Sequence, residues 1–129
     1  MIQRLMKSSL VHMAFGFVLM GGWALFANRA HGLEAAWLPA LAQGGVSALL
    51  TGVIKRALEW MDGRFGGPLA FLLPPVATAS AVLATLVSVH SLIGTPELVA
   101  TIAFPWSLST LYAFIYNAAL VRARRAEAP

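Results

Sequence analysis

Between Lys7 and Asn28 the chain carries no charged side chain, and the same holds between Glu34 and Lys55. Two more uncharged stretches run from Gly67 to Val89 and from Leu98 to Val121. Each supplies the roughly 20 apolar residues that a helix needs to cross a hydrocarbon core. That pattern leaves little choice of fold. Inside lipid no water is available to an unpaired backbone group, so a spanning segment must satisfy its own hydrogen bonds as a helix. Only 11% of the residues are charged, against about 25% in soluble domains. The sequence therefore predicts an all-α membrane protein with four transmembrane helices in a compact bundle. The spans fall at about 8–27, 35–54, 67–89 and 98–121, in a single domain over 1–129.

A cleavable signal peptide is the rival reading of residues 1–27. The apolar run exceeds the usual 7–15 residues of such a segment, and Asn28-Arg29 is a poor cleavage site, so an uncleaved first span is expected. Orientation follows from the basic residues. Eight of the nine fall at the chain ends or between the second and third spans, and only Arg29 lies on the other side. By the positive-inside rule both termini are expected in the cytoplasm of a bacterial inner membrane, with Trp23 and Trp37 at the outer interface and Trp60 at the inner one. The polar tail RARRAEAP is expected to fray. Thr95-Pro96-Glu97 reads as an N-cap, a first-turn proline and a first-turn acid. A shift that lays Gly32 on Gly94 also lays Ser47 on Ser109 and Ala57-Leu58 on Ala119-Leu120. The two halves then read as two parallel-repeat hairpins.

The polar residues of the second span are its most informative feature. Gln43, Ser47 and Thr51 recur every fourth residue, and Gly44, Ala48 and Gly52 recur beside them. Residues four apart share a helix face. Small residues let two helices approach closely, and Gln, Ser and Thr can then hydrogen-bond across the gap. A packing seam is the expected role, and a polar pathway through Gln43 the alternative. In the fourth span Pro105 removes the hydrogen bond to the Thr101 carbonyl. Ser107, Ser109 and Thr110 follow it, and such hydroxyls can serve freed backbone groups. Ser109, Ala113 and Asn117 share one face. In the third span Pro74-Pro75 precedes two small or hydroxylic stripes, Thr78-Ala81-Thr85 and Ser80-Ala84-Ser88, which suit a helix packed on two sides.

Asn28, Arg29, His31 and Glu34 crowd the first outer loop, and His90 and Glu97 flank the second. Their spacing matches no metal motif, so headgroup contact is the expected role, with Arg29 meeting lipid phosphate or pairing with Glu34. No cofactor or metal is expected. The absence of cysteine excludes disulfides and thiolate chemistry. No acidic residue lies in mid-span, which weakens a proton- or sodium-coupled exchanger. The basic residues form no single patch, so nucleic acid is not an expected partner. The expected partners are the lipid bilayer and either a second copy or a larger membrane protein. The leading expectation is a non-enzymatic protein that acts by association, as an accessory, assembly or structural subunit. The alternative is a homo-oligomeric channel or transporter for a small polar or lipid-like substrate. A water-filled cavity reaching Gln43 would separate the two.

Overall fold

The computed structural model describes Met1, Arg4 and residues 9–129, so Lys7 and Ser8 lie outside the described residues. Four long helices follow in order: α1 (Ser9–Ala27), α2 (Leu33–Met61), α3 (Leu69–Leu92) and α4 (Leu98–Glu127). A single 3-10 turn, Arg29–His31, links the first two. No strand occurs among the described residues. Each long helix is long and apolar enough to cross a membrane.

Hydrogen bonds between helix ends define the up-and-down arrangement. Arg124 Nε donates to Asp62 Oδ1 at 3.1 Å, and Arg125 donates to the Gly67 carbonyl at 2.9 Å. These contacts gather the end of α2, the start of α3 and the end of α4 at one end of the bundle, here termed the basic end. Asn28, His31, His90 and Glu97 meet at the far end. α1 packs along α2, and α3 along α4. Among the described residues α1 touches α4 but makes no packing contact with α3. The shared core contains Ile54 and Leu58 from α2, Val82 and Leu86 from α3, and Ile102 and Ala113 from α4.

Two helices run further than their apolar cores. α2 continues past residue 54 to Met61, because Lys55 and Glu59 pair one turn apart at 2.6 Å and Tyr116 donates to Glu59 at 2.7 Å. α4 stays helical to Glu127, so RARRAE of the tail expected to fray continues the helix and the chain leaves it at Ala128 and Pro129. Arg124 and Arg125 are held as just described, and basic residues in a last turn also suit the helix dipole. Thr95 does not cap α4. Its hydroxyl turns to His90, and Glu97 occupies the N-cap position without a side-chain cap of its own.

The prolines explain several contacts. Pro74 and Pro75 have no N–H, which frees the carbonyls of Ala70 and Phe71. Asn117 of α4 supplies the missing donor, reaching Ala70 O at 2.9 Å and Phe71 O at 3.3 Å. The Thr78 hydroxyl in turn donates to the carbonyls of Pro74 and Pro75. At Pro105 the expected repair does not occur. Ser109 donates to the Trp106 carbonyl, and the buried Thr110 hydroxyl has no partner among the described residues. The buried face of α3 is Pro74, Thr78, Val82, Leu86 and His90. Ala81 and Thr85 of one small stripe are exposed, and so is all of the other, Ser80, Ala84 and Ser88.

The hairpins share a device at the far end. The shift that lays Gly32 on Gly94, both with positive φ, also lays Asn28 on His90. Asn28, just past α1, donates to Thr101 of α4 at 2.8 Å. His90, in the last turn of α3, meets Gln43 of α2 at 2.8 Å. Each hairpin thus reaches across to the second helix of the other. The receiving residues are not equivalent, since the same shift sets Gln43 against Pro105 and Pro39 against Thr101.

Candidate functional site

The two stripes of α2 do different things. Gly44 belongs to the contact with α1, where a Cβ on it would lie 2.9 Å from the Phe17 carbonyl oxygen. Gly21 of α1 faces the same contact, 2.9 Å from the Ala40 carbonyl by the same measure. Small side chains are what allow backbones this close. The seam does not continue through the whole stripe. Ala48 is half-buried, and a Cβ at Gly52 would meet nothing within 4 Å among the described residues.

The polar stripe faces a groove. Gln43 is fully buried and bonds across to α3, whereas the hydroxyls below it stay within α2. Gln43 Nε2 donates to Ser47 Oγ at 2.9 Å, and Thr51 Oγ1 donates to the Ser47 carbonyl at 2.8 Å. His90 Nε2 donates to Gln43 Oε1 at 2.8 Å, and the Thr95 hydroxyl donates to His90 Nδ1 at 2.7 Å. An amide oxygen only accepts, so this chain of bonds fits the tautomer with hydrogen on Nε2. Both ring nitrogens are satisfied by residues that are themselves buried.

The groove has a volume of about 430 Å³. That lies within the roughly 300–1,000 Å³ of small-molecule sites. Gln43, Ser47 and Thr51 form its floor, with Val82 and Leu86 of α3 behind. Gly16 and Met20 of α1 make one wall, and Pro105, Ser109 and Tyr112 of α4 belong to the other. α1 and α4 meet at the far end, where Trp23 donates to the Ala100 carbonyl at 2.9 Å and packs on Phe104. Leu108, Leu111, Tyr112 and Ile115 of α4 are exposed along the groove, so it opens sideways between α1 and α4. Its surface is overwhelmingly apolar, because the hydroxyls beneath are already bonded within their helices. Such a space suits a hydrocarbon chain far better than an ion or a column of water.

Of the remaining sequence candidates, Asn117 sits away from the groove against the first turn of α3, with its Oδ1 buried and without a hydrogen-bond partner among the described residues. The first-loop cluster is divided. Asn28 is fully buried, and its Oδ1 accepts from the Glu97 N–H at 3.0 Å, so α1's terminus caps α4. His31 pairs at the surface with Glu97 at 2.9 Å. Arg29 lies 3.8 Å over the Phe26 ring and bonds the Phe26 carbonyl rather than Glu34. His31 and His90 face different partners, and no trio of His, Asp or Glu among the described residues could hold a metal.

Sequence reasoning missed how the polar stripe ends. Lys55 and Glu59 extend the four-residue spacing of Gln43, Ser47 and Thr51 on the same face of α2. Lys55 Nζ lies 5.8 Å from the Tyr116 ring, and Tyr116 stacks on groove-lining Tyr112 at 5.5 Å. The spacing was visible, but the charge on Lys55 marks the end of a span and hid the continuity.

Fold and site together define a helical bundle with four potential membrane spans and a side-opening apolar groove. No protein-family model matches the chain, and neither the curated proteins nor the solved structures compared with it contain a match.

Proposed function

We propose that this is an integral protein of a bacterial inner membrane, with both termini cytoplasmic, that binds a lipid-like molecule in the groove between α1 and α4. It acts as a non-enzymatic carrier or presenter of that molecule. One observation carries the reading: an apolar groove of about 430 Å³ opens sideways from the middle of the bundle and reaches Gln43. A purely structural seam has no use for such a space. The proposal belongs to the class of transport and carriage, but with a hydrocarbon ligand in place of a polar pathway. The membrane assignment is supported by four sufficiently long apolar helices. The orientation is supported by the clustering of Lys55, Arg56, Arg64, Arg122, Arg124 and Arg125 toward one end.

Association with a further helix remains the second reading. It is favoured by the exposed stripe Ser80, Ala84 and Ser88 on α3, since small residues are the usual means of close helix contact.

Two experiments test the proposal. Ser109→Trp and Thr51→Trp fill the groove from opposite sides. Retained phospholipid, counted by native mass spectrometry after detergent purification, should fall roughly tenfold for each, equivalent to about 1.4 kcal/mol of binding. Retention equal to wild type in both well-folded variants would remove the groove as a site. For orientation, reporter fusions after Arg125 should read cytoplasmic and a fusion near His31 should read external. A C-terminal fusion that reads external would invert the assignment.

A further inference from the structure

We infer that the groove selects an anionic lipid and that Lys55, with Tyr112, receives its phosphate-bearing headgroup. This rests on the reading of the groove as a lipid site and adds the chemistry of the ligand's polar end. A chain lying along α2 from Gln43 to Thr51 leaves the groove one turn before Lys55, because residues four apart stand above one another on a helix. Lys55 is about half exposed there. Its ammonium has three hydrogens to donate, and among the described residues its hydrogen-bond acceptor is Glu59. Glu59 also accepts from Tyr116, so its charge is already shared between two donors. Tyr112 lines the groove and stacks on Tyr116, and its hydroxyl makes no hydrogen bond among the described residues.

Charge complementarity fixes the sign of the headgroup. Lys55 and Arg56 stand beside a single acid, Glu59. The next acid along α2, Asp62, is engaged by Arg124. A phosphate at this mouth meets a net positive field, an ammonium with donors to spare and a phenol able to donate. Hydrogen bonds between charged groups are the strong ones. A quaternary ammonium headgroup would meet the same positive field at its outer end and gain nothing from it.

The test compares phosphatidylglycerol with phosphatidylcholine of identical chains, both offered to the purified full-length protein in mixed micelles, with bound lipid read by native mass spectrometry. Wild type should retain the anionic lipid preferentially. Both lipids offer a phosphate to Lys55, but in phosphatidylcholine the trimethylammonium offsets its charge, so Lys55→Gln should lower the preference for the net-anionic lipid roughly tenfold, about 1.4 kcal/mol. Arg64→Gln, at the same end but stacked on Trp60, should keep it. Equal losses in Lys55→Gln and Arg64→Gln would mean diffuse attraction to the whole basic end and would overturn the inference. So would a wild-type protein with no headgroup preference whose retention of both lipids still falls on Ser109→Trp, although the groove itself would then stand. If Ser109→Trp changes the retention of neither lipid, the groove reading fails first and this inference with it.

Discussion

Gly44→Val should destabilise the bundle by about 1–3 kcal/mol, the usual effect of forcing bulk into a packed interface. The reason is local. A Cβ at Gly44 stands 2.9 Å from a backbone oxygen of Phe17 and 3.0 Å from its ring. The ring could turn aside, but the oxygen moves only if α1 moves. Gly52→Val lies two turns further along the same stripe, in open space among the described residues. It should change stability by no more than about 0.5 kcal/mol. Unfolding by sodium dodecyl sulfate in mixed micelles, followed by helix content, gives both numbers. Equal effects at the two positions would show that the helices do not meet at Gly44.

The second large effect concerns the pair that joins the hairpins at the far end. His90→Leu strips Gln43 Oε1 and the Thr95 hydroxyl of their partner while leaving both buried. Leaving a buried polar group unpaired costs about 1–3 kcal/mol. Hydrogen bonds between membrane helices average only about 0.6 kcal/mol, because the separated helices find other partners. The larger figure applies here, since neither Gln43 nor His90 has accessible surface and the groove beside Gln43 is lined almost entirely by apolar surface, which offers no replacement hydrogen bond. His90→Leu alone should therefore lose more stability than the double variant Gln43→Leu/His90→Leu, in which Gln43 leaves with its partner. The cycle of four proteins isolates the coupling. Strictly additive losses would mean that the two side chains do not depend on each other.

Much of the fold could be read from the sequence, because uncharged stretches of this length have only one use in lipid. The four spans and their order follow from that alone. Helix ends were less legible. Lys55 and Arg122 mark where the apolar stretches stop, yet α2 and α4 go on, since the helix outside the apolar zone is held by Glu59, Asp62 and the Gly67 carbonyl. Asp62 and Gly67 lie far in sequence from the arginines they hold, although Glu59 is one turn from Lys55. The candidate site was visible in part. The spacing of Gln43, Ser47 and Thr51 showed a polar face, but not what it faced. Nothing local says that His90 completes Gln43, or that α1 and α4 part beside Ser47. The exposed His90 expected at the loop proved fully buried. The duty of Asn117 was hidden for a related reason: Pro74 and Pro75 announce the loss of two backbone bonds, but not which distant amide restores them.

That repair has a consequence for how the chain is assembled as it leaves the ribosome. Segments enter the membrane in order, and the third arrives with the Ala70 and Phe71 carbonyls open until Asn117 emerges, 47 residues after Ala70. Gln43 waits in the same way for His90, and Asn28 for Thr101. An early segment with open polar groups is poorly suited to stand alone in lipid. The first hairpin is thus incomplete until Thr101 of the fourth segment arrives, and the third segment until Asn117 does. Completion of the polar contacts waits on later segments: a truncation before His90 should leave Gln43, Asn28 and the Ala70 and Phe71 carbonyls all without these partners, whereas one just before Asn117 should unsettle the third segment and spare the first two.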